Sequence, residues 1–280
     1  MTSKIDLNKV LTIGAGGMVG SYVNFGIKTD HRSLDITDFH EVVRIVKQHK
    51  PQAIIHLAAE TDVDRCDRDP NYAYLVNGAG TYNVATAASE VGAKLVYVST
   101  AGIFDGEKTS PYAEDNQPNP QNFYGRSKYM GELIVRGMLK DYIIARACWM
   151  FGGGPEKDLK FVGKIIRQFE KQEIKAVNDA YGSPTSGKDL VGAIKRLITD
   201  DATGIFHLSN EGSCSRYEVA ELIIETLGVD VTLTPVGLDY FPGANRVKNE
   251  AMSSKKKLMR PWQEALQEYL ETEWKTAIKN

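Results

Sequence analysis

Short apolar runs alternate with longer amphipathic segments along most of this 280-residue chain. Compact runs rich in β-branched and aromatic residues are typical of buried strands, whereas apolar positions recurring every three or four residues are typical of helices. The predicted strands are KVLTIG (9–14), AIIHLAA (53–59), KLVYVST (94–100), YIIARACWMF (142–151) and GIFHLS (204–209), with GIKTD (26–30) as a further short candidate.

Helical patterns follow the strands in turn. The predicted helices lie at residues 38–49, 73–92, 124–139, 159–172, 186–199, 215–228 and 260–278. Regular alternation of strand and helix predicts an α/β fold of the Rossmann type, a doubly wound parallel sheet covered by helices on both faces. The stretch between Gly20 and Asp35 is too short for an ordinary helix followed by a strand, so the first helix should be stunted.

Composition narrows the range of partners. A net charge of −2 gives no basic surplus for nucleic acid, and no apolar run reaches the roughly 18 residues of a membrane span. The polar start, MTSKIDLNK, lacks the apolar core of a signal peptide. Cys66, Cys148 and Cys214 are scattered, which predicts neutral thiols and no metal site. We therefore expect a cytoplasmic protein that binds neither nucleic acid nor membranes.

A glycine-rich turn follows the first predicted strand. In VLTIGAGGMVG (10–20), Gly14, Gly17 and Gly20 fit the pattern G-x-x-G-x-x-G. Glycines in such a turn let backbone N–H groups approach a pyrophosphate, so the motif in this position predicts dinucleotide binding. An ordinary glycine-rich turn is the alternative for the motif taken alone.

Residues 30–36 bear on which dinucleotide is bound. Asp30, at the end of GIKTD, would accept hydrogen bonds from ribose hydroxyls and favour NAD, whereas Arg32 would pair with a 2′-phosphate and favour NADP. Asp35 and Ile36 would contact adenine or, alternatively, begin the next helix. The choice between the two cofactors stays open at this point.

Polar residues collect where the later strands end. Ser99 and Thr100 end KLVYVST, and the carboxyl ends of strands are where open α/β sheets bind ligands. A long loop, 101–122, rich in Gly, Pro, Asp and Asn, follows. After it, Tyr124 and Lys128 are four positions apart, which places them on one face of a helix.

The glycine fingerprint, the strand-end Ser-Thr and Y-x-x-x-K, in this order, resemble the short-chain dehydrogenase/reductase superfamily. The closer resemblance is to its extended branch, around the dTDP-4-dehydrorhamnose reductase family. Further stretches recur in that family's order through nearly the whole chain: HLAAETDVDRCDRDP with VN after it, STAGIFDG, YGRSKYMGE, RACWMFGGG, DAYGSPTSGKDLV, GIFHLSNEG and ANRVKNEAM.

The resemblance implies NAD(P)H-dependent reduction of the 4-keto group of a nucleotide-linked deoxysugar, as in dTDP-rhamnose synthesis for cell-surface polysaccharides. Thr100, Tyr124 and Lys128 would be catalytic: Thr100 binds the carbonyl, Tyr124 supplies a proton, and the charge of Lys128 favours proton transfer. The cofactor, NADP or NAD, would be contacted by Gly14, Gly17, Met18, Val19, Gly20, Asp30, Arg32, Asp35, Ile36, Leu57, Ala58, Ala59, Thr61, Asn77, Ser99, Tyr124 and Lys128.

Two lobes are expected from the same resemblance. Residues 1–149 with about 186–208 would form the dinucleotide-binding lobe, and about 150–185 with 209–280 a smaller C-terminal lobe for the nucleotide sugar. The sugar nucleotide would be contacted by Thr100, Ala101, Trp149, Ser183, Pro184, Thr185, Arg246 and Asn249. The alternatives are a core role for Trp149, a plain turn at 182–185 and a surface charge at Arg246. A homodimer is one assembly compatible with this family.

The chain departs from the family in three places. Rhamnose-forming reductases usually read S-T-D-Y-V-F where this chain has Ser99-Thr100-Ala101-Gly102-Ile103-Phe104, so an acidic group and an aromatic that would face the sugar are missing. Val247 stands where the family has proline, and the first helix is shortened. These departures leave the particular sugar and the preferred cofactor open.

Three other functions are alternatives to the reductase. Sugar-nucleotide 4,6-dehydratases use an acid and a base directly after the threonine, and Ala101 and Gly102 cannot supply them. A nucleotide-sugar 4-epimerase uses the same Tyr/Lys pair and stays open. A non-catalytic subunit, similar to the regulatory subunit of methionine adenosyltransferase, is a further alternative, although the presence of Thr100, Tyr124 and Lys128 together favours an enzyme.

Overall fold

A parallel sheet of six strands organises the chain. The computed structural model describes residues 5–278. In chain order the strands are β1 (Val10–Ile13), β2 (Ile27–Thr29), β3 (Ala53–His56), β4 (Lys94–Thr100), β5 (Tyr142–Ala147), β6 (Met150–Phe151), β7 (Glu173–Val177), β8 (Tyr181–Gly182), β9 (Thr185–Ser186), β10 (Gly204–His207), β11 (Cys214–Ser215) and β12 (Thr232–Val236). The sheet has the order β10-β5-β4-β3-β1-β2.

Helices connect the strands. They are α1 (Phe39–His49), α2 (Val63–Arg68), α3 (Pro70–Tyr74), α4 (Gly80–Val91), α5 (Phe123–Met138), α6 (Gly154–Lys157), α7 (Phe161–Ile166), α8 (Gly187–Thr199), α9 (Arg216–Leu227), α10 (Trp262–Tyr269) and α11 (Lys275–Ile278). A π-helical segment, Leu75–Ala79, joins α3 to α4, and Leu270–Trp274 joins α10 to α11.

The sheet is covered on both faces, as predicted. Successive residues of β1 alternate between two hydrophobic clusters: Val10 belongs to one, and Leu11 to the other. On β3, Ile55 belongs to the first cluster and Ile54 to the second. Because side chains of a strand point alternately to opposite faces, a fully buried strand must be apolar throughout. The Rossmann-like, doubly wound fold is confirmed.

Strand order reverses beside β1, which pairs in parallel with β2 on one side and β3 on the other. Such a switch point leaves a crevice at the carboxyl ends of the strands, where ligands bind in folds of this kind. The glycine turn follows β1 and residues 57–61 follow β3, so both lie at this crevice.

A third hydrophobic cluster belongs to elements that follow residue 150. Its members include Ile174 on β7, Ile223 on α9 and Trp262 on α10. Three two-stranded sheets, β6–β9, β7–β12 and β8–β11, lie in the same part of the chain. Most of these short strands were not predicted from the sequence.

Two predicted elements differ from the structure. The run 142–151 is not one strand: β5 ends at Ala147, and Trp149 takes a left-handed backbone conformation with φ of 40° before β6 begins. The helix predicted at 159–172 covers only Phe161–Ile166. The prediction of a stunted first helix is confirmed, since only a 3-10 turn, Gly20–Tyr22, lies between β1 and β2.

Candidate active site

The glycine turn is tightly packed where it leaves the sheet. Gly14 has a φ of 90°, and a Cβ on it would lie 2.6 Å from the backbone nitrogen of Ala58. A Cβ on Gly20 would lie 2.5 Å from Cα of Ala15. By contrast, a Cβ on Gly17 would meet nothing closer than 3.6 Å. Gly14 and Gly20 are therefore required by packing, whereas Gly17 keeps the outer side of the turn open.

The turn also offers backbone donors. The N–H groups of Gly14 and Ala15 both donate to Thr29 at the end of β2. Within residues 5–278, the N–H groups of Gly16 and Met18 have no acceptor. Unpaired N–H groups beside a strand-end crevice suit an anionic group such as a pyrophosphate. Val19 is buried beneath the turn and supports it.

Tyr22 fixes the short turn that replaces the first helix. Its hydroxyl donates to Glu273 Oε1 at 2.7 Å and accepts the N–H of Gly153 at 2.6 Å. A Cβ on Gly153 would lie 3.2 Å from Cγ of Met18. The turn is thus held by contacts with distant parts of the chain rather than by a helix of its own.

Asp30 lies at the end of β2, beside the glycine turn. A Cβ on Gly16 would lie 3.1 Å from Cβ of Asp30. Asp30 Oδ1 accepts hydrogen bonds from the backbone N–H groups of Arg32 and Ser33. The Ser33 hydroxyl, first among several donors, holds the pKa of Asp30 below its usual range. Arg32 is exposed beside it.

The other two residues of this stretch lie before the next helix, which Asp38 caps. Asp35 accepts hydrogen bonds from both the backbone and the hydroxyl of Thr37. Ile36 is buried against Gly80, where an added Cβ would lie 2.7 Å from it. The packing of Ile36 therefore favours the structural alternative for this residue.

Thr100 and Tyr124 meet at the carboxyl end of β4. The Thr100 hydroxyl accepts the N–H of Gly102 at 3.0 Å, and both this hydroxyl and the Tyr124 ring border Gly102. The helix that carries Tyr124, α5, begins at a cap: Asn122 Oδ1 accepts the N–H of Gly125 at 2.8 Å. Burial raises the pKa of Tyr124 to about 12, and the carboxylate of Glu250 also raises it.

Lys128 lies one turn further along α5 and is only 3% exposed. Its Nζ lies 4.1 Å from the centre of the Tyr97 ring, a cation–π contact. In the described part of the chain, no acceptor lies within hydrogen-bonding distance of this ammonium. Burial lowers the pKa of Lys128 to about 7, opposed by the charge of Glu132. A buried ammonium without an acceptor is suited to bind ligand hydroxyls.

Several predicted cofactor residues line the same edge. The Ser99 hydroxyl is buried and has no partner within residues 5–278. Leu57, Ala58 and Ala59 follow β3 and are half-buried. Thr61 accepts a hydrogen bond from Lys160 Nζ at 2.9 Å, so it links the crevice to a lysine that the sequence reasoning did not single out.

Asn77 is buried in the π-helical segment between α3 and α4. Its amide donates to Ser127 Oγ and to the carbonyl oxygen of Glu60, both at 3.0 Å. Its Oδ1 accepts the N–H of Glu60 at 2.9 Å. Asn77 was predicted to contact the cofactor, whereas its hydrogen bonds tie α5 to the segment after β3.

Trp149 stands at the left-handed break between β5 and β6. Its Nε1 donates to Glu250 Oε2 at 2.7 Å, and the guanidinium carbon of Arg216 lies 3.8 Å from the centre of its ring. Within residues 5–278, Arg216 has no hydrogen-bond acceptor, and burial lowers its pKa to about 10. Glu250 and Arg216 were both missed. Glu250 lies in the stretch ANRVKNEAM, where only Arg246 and Asn249 were singled out, and Arg216 belongs to none of the quoted stretches.

Four predicted substrate contacts are buried. Ser183 and Thr185 are fully covered and bond within the protein, to Met252 and to Cys148 respectively. Pro184 and Ala101 are also buried. These side chains are covered in this structure, and their contact with substrate stays a prediction. Gly182, in the same loop, packs against the Trp149 indole, so the loop supports that ring.

Arg246 and Asn249 have partners of their own. Arg246 Nη2 bonds both carboxylate oxygens of Asp64, at 3.1 and 3.0 Å. The N–H of Ala244 and then Arg246 hold the pKa of Asp64 below its usual range. The Asn249 amide donates to the carbonyl oxygen of Lys108 at 2.6 Å. Both residues fix loops around the crevice, and any ligand contact by Arg246 remains a prediction.

Two clefts adjoin these loops. One of about 560 Å³ is lined by Phe241 and Arg246, and one of about 420 Å³ is lined by Tyr181 and Asn249. Both clefts include Lys248. Aromatic and basic side chains together suit a nucleotide, whose base stacks and whose phosphates are anionic.

No described helix has the length and apolarity that crossing a membrane requires.

Comparison with known proteins agrees with this arrangement. A family model described as RmlD substrate binding domain matches residues 8–274. The spore coat polysaccharide biosynthesis protein SpsK of Bacillus subtilis is 34% identical over 280 residues, which cover 95% of this chain and 98% of that protein.

Solved structures give the same result. A dTDP-4-dehydrorhamnose reductase from Clostridium acetobutylicum superposes with a TM-score of 0.89 at 34% identity, covering 94% of this chain and 98% of its own. The dTDP-4-dehydrorhamnose reductase of Bacillus anthracis, solved in complex with NADP, has a TM-score of 0.89 at 36% identity and the same coverage. The chain therefore belongs to the family described as RmlD substrate binding domain.

Proposed function

We propose that this protein is an NAD(P)H-dependent reductase of the 4-keto group of a nucleotide-linked deoxysugar, with dTDP-4-dehydrorhamnose as the first substrate to try. The observation that carries the proposal is the cluster at the carboxyl end of β4. There the Thr100 hydroxyl and the Tyr124 ring both border Gly102, and Lys128 presents a buried ammonium without an acceptor within residues 5–278. Relatives named dTDP-4-dehydrorhamnose reductase support the substrate class.

A nicotinamide cofactor would supply the reducing equivalent when bound. The residues present fit such a group. The N–H groups of Gly16 and Met18 would hold its pyrophosphate, and Lys128 and Ser99 would bond its nicotinamide half. Asp30, beside the glycine turn, would accept hydrogen bonds from ribose hydroxyls, and exposed Arg32 would pair with a 2′-phosphate, so the proposal covers NAD and NADP alike.

The protein's own contribution is to orient and protonate the ketone. The hydroxyls of Thr100 and Tyr124 would both donate to the carbonyl oxygen, which draws charge towards it. Tyr124 would then give its proton to that oxygen as the alcohol forms. The ammonium of Lys128, on the same helix face, would stabilise the phenolate left behind.

The lobes, the assembly and the location form part of the same proposal. The third hydrophobic cluster and the two clefts support a substrate lobe made from about 150–185 and 209–280. Leu75, Tyr82, Met130 and Leu133 expose large apolar surfaces on the neighbouring helices α4 and α5 and the adjoining π segment. A second copy covering this face would give a homodimer. The three free cysteines support a cytoplasmic location.

The direct test is to incubate the purified protein with dTDP-4-dehydrorhamnose and NADPH or NADH. We expect one cofactor oxidised for each ketone reduced, and Tyr124→Phe to lower turnover by about 10²–10⁴-fold because the proton donor is lost. Cofactor affinity, followed by fluorescence titration, should stay near that of the unmodified protein. Tyr142→Phe, at a half-buried tyrosine at the amino end of β5, is the matched control.

Other results would contradict the reductase. Interconversion of sugar epimers without net cofactor oxidation would identify an epimerase. Absence of turnover with any nucleotide ketosugar, together with co-purification with a synthetase, would identify a binding subunit. Near-normal turnover in Tyr124→Phe would remove the proposed mechanism.

A further inference from the structure

A gap opens beside the catalytic threonine where this chain departs from its family. Gly102 occupies the position at which rhamnose-forming reductases usually carry an aromatic residue. A Cβ on Gly102 would lie 3.4 Å from Thr100 Oγ1, 3.6 Å from Tyr124 Cδ1 and 3.6 Å from Glu250 Oε1. These three groups therefore face one another across a space about as wide as a single carbon atom.

Glu250 reaches this gap from a distant segment, and its position is fixed. Its N–H donates to the carbonyl oxygen of Tyr181 at 2.8 Å. One carboxylate oxygen, Oε2, accepts the Trp149 indole N–H at 2.7 Å. The other, Oε1, accepts no hydrogen bond within residues 5–278, although the charge of buried Arg216 acts on the carboxylate as a whole. One oxygen is thus held in place while the other faces Thr100.

The chemistry of the free oxygen defines what it can bind. A carboxylate oxygen only accepts hydrogen bonds, and charge-assisted bonds of this kind are stronger than neutral ones. A ketone oxygen is also only an acceptor, so it would be repelled by Oε1 and is directed to Thr100 and Tyr124. A ring hydroxyl on the neighbouring carbon of the sugar is a donor, so it is complementary to Oε1.

We infer that Glu250 determines substrate specificity by accepting a hydrogen bond from the hydroxyl on the carbon next to the reacting ketone. It supplies, from another part of the chain, an acidic group that is missing after Thr100. Trp149 is the positioning residue, since its indole N–H holds the carboxylate. This inference rests on the proposed function and names the part of the sugar that the site recognises.

The test compares two substrates in two proteins. The substrates are a nucleotide 4-ketosugar with the neighbouring hydroxyl and its deoxy analogue, and the proteins are the wild type and Glu250→Gln. In the variant the amide oxygen would accept the Trp149 N–H, which turns the NH₂ group towards the gap in place of an acceptor. In the wild type we expect kcat/KM to be about 10–100-fold lower for the deoxy sugar than for the sugar with the hydroxyl. In Glu250→Gln the two sugars should have similar kcat/KM values.

Additional measurements separate this role from a structural one. Glu250→Asp keeps a carboxylate acceptor, so it should discriminate between the hydroxylated and the deoxy sugar better than Glu250→Gln does. Trp149→Phe should reduce discrimination without affecting the KM for the cofactor. Glu221→Gln makes the same charge change at an exposed position on α9 and is the control. By calorimetry, Glu250→Gln should bind free dTDP normally and the reduced dTDP-sugar more weakly.

The outcomes distinguish the two proposals. Two results would disprove the role of Glu250 while the reductase stands. One is that Glu250→Gln lowers kcat/KM by the same factor for both sugars, and the other is that it binds dTDP and the dTDP-sugar with wild-type affinity. If the wild type reduces no ketosugar with either cofactor, the proposed function fails and the inference with it.

Discussion

Lys128 is a lysine whose charge depends on its surroundings at neutral pH. Burial lowers its pKa to about 7, and the buried carboxylate of Glu132, one turn along α5, acts in the opposite direction. Glu132 is itself paired with Arg146, whose Nη2 lies 2.8 Å from Oε2. The free protein therefore holds Lys128 near the midpoint of its titration, where ligand hydroxyls readily favour the charged form.

This position predicts a pH dependence of activity. Above pH 7 the free protein progressively loses the Lys128 charge, so kcat/KM, which reports ionisations of the free enzyme, should fall by about tenfold per pH unit. Lys128→Arg keeps its charge over this range, and its kcat/KM should not decline between pH 7 and 9, even if it is lower throughout. Steady-state profiles of both proteins from pH 6 to 9 provide the measurement; a wild-type profile that stays level to pH 9 would contradict the assignment.

Gly102 gives a second test at the scale of one residue. Alanine at this position meets only ordinary van der Waals distances, 3.4 Å or more, so Gly102→Ala should fold normally. Its methyl group would fill the gap between Thr100 and Glu250. We expect kcat/KM for the ketosugar to fall at least about tenfold, since one carbon of misfit costs roughly 1–3 kcal/mol. The KM for the cofactor should not change. Gly192→Ala, where an added Cβ meets nothing within 4 Å, is the control.

At the scale of elements, the two segments that deviate from regular geometry hold the site together. The π-helical segment Leu75–Ala79 turns Asn77 inward, so that one side chain joins α5 to the chain after β3. The left-handed residue Trp149 ends β5 and turns its indole towards Glu250. Irregular geometry of this kind is often found at functional sites.

Removing the Asn77 amide should therefore affect stability as well as activity. Asn77→Ala deletes three hydrogen bonds, one buried and two partly buried, and leaves their partners unpaired. We expect the free energy of unfolding to fall by about 2–4 kcal/mol, measured by urea denaturation. Asn71→Ala, at an exposed asparagine on α3, should change it by less than about 0.5 kcal/mol. Equal effects of the two variants would contradict the role assigned to Asn77.

The central strands and most helices could be predicted from the sequence, because each depends on residues close together in the chain. The roles of Thr100, Tyr124 and Lys128 stay predictions. The break at Trp149 could not be predicted, since apolar residues continue through it without a glycine or proline. Glu250 could not be predicted either: only the fold brings it to Gly102 from far along the chain. The sequence did show that Gly102 lacks the aromatic side chain usual in the family, but it did not show that Glu250 borders the space beside Gly102.

At the scale of the whole molecule, ionic and polar contacts join the two proposed lobes. Asp64 pairs with Arg246, and Lys160 donates to the backbone and side-chain oxygens of Thr61. The Asp64–Arg246 pair is partly exposed, so it contributes little to stability and mainly sets geometry. These contacts lie around the crevice where a nucleotide sugar would enter.

Two buried histidines predict how the stability of the whole chain depends on pH. Burial lowers the pKa of His56 to about 3 and that of His207 to about 4, so both are neutral in the folded protein near pH 6. The unfolded chain binds these protons below about pH 6.5, so stability should fall as the pH drops from 6.5 towards 4, by up to about 1.4 kcal/mol per pH unit for each histidine.

Urea denaturation at pH 7, 6 and 5 measures this slope. His56→Gln should reduce the slope by the contribution of one histidine, even if the variant is less stable at every pH. His40→Gln, at an exposed histidine, should leave the slope unchanged. A wild-type free energy of unfolding that is constant from pH 7 to 5 would contradict the prediction.

The phenol of Tyr22 makes the short turn after β1 depend on a residue far along the chain. It joins that turn to Gly153 and to Glu273, near the last described residues. Cleavage after Thr272, or a bulky fusion there, would remove that acceptor and loosen the turn. A protease acting on this distant segment would thus weaken retention of the nucleotide that the glycine turn is proposed to bind.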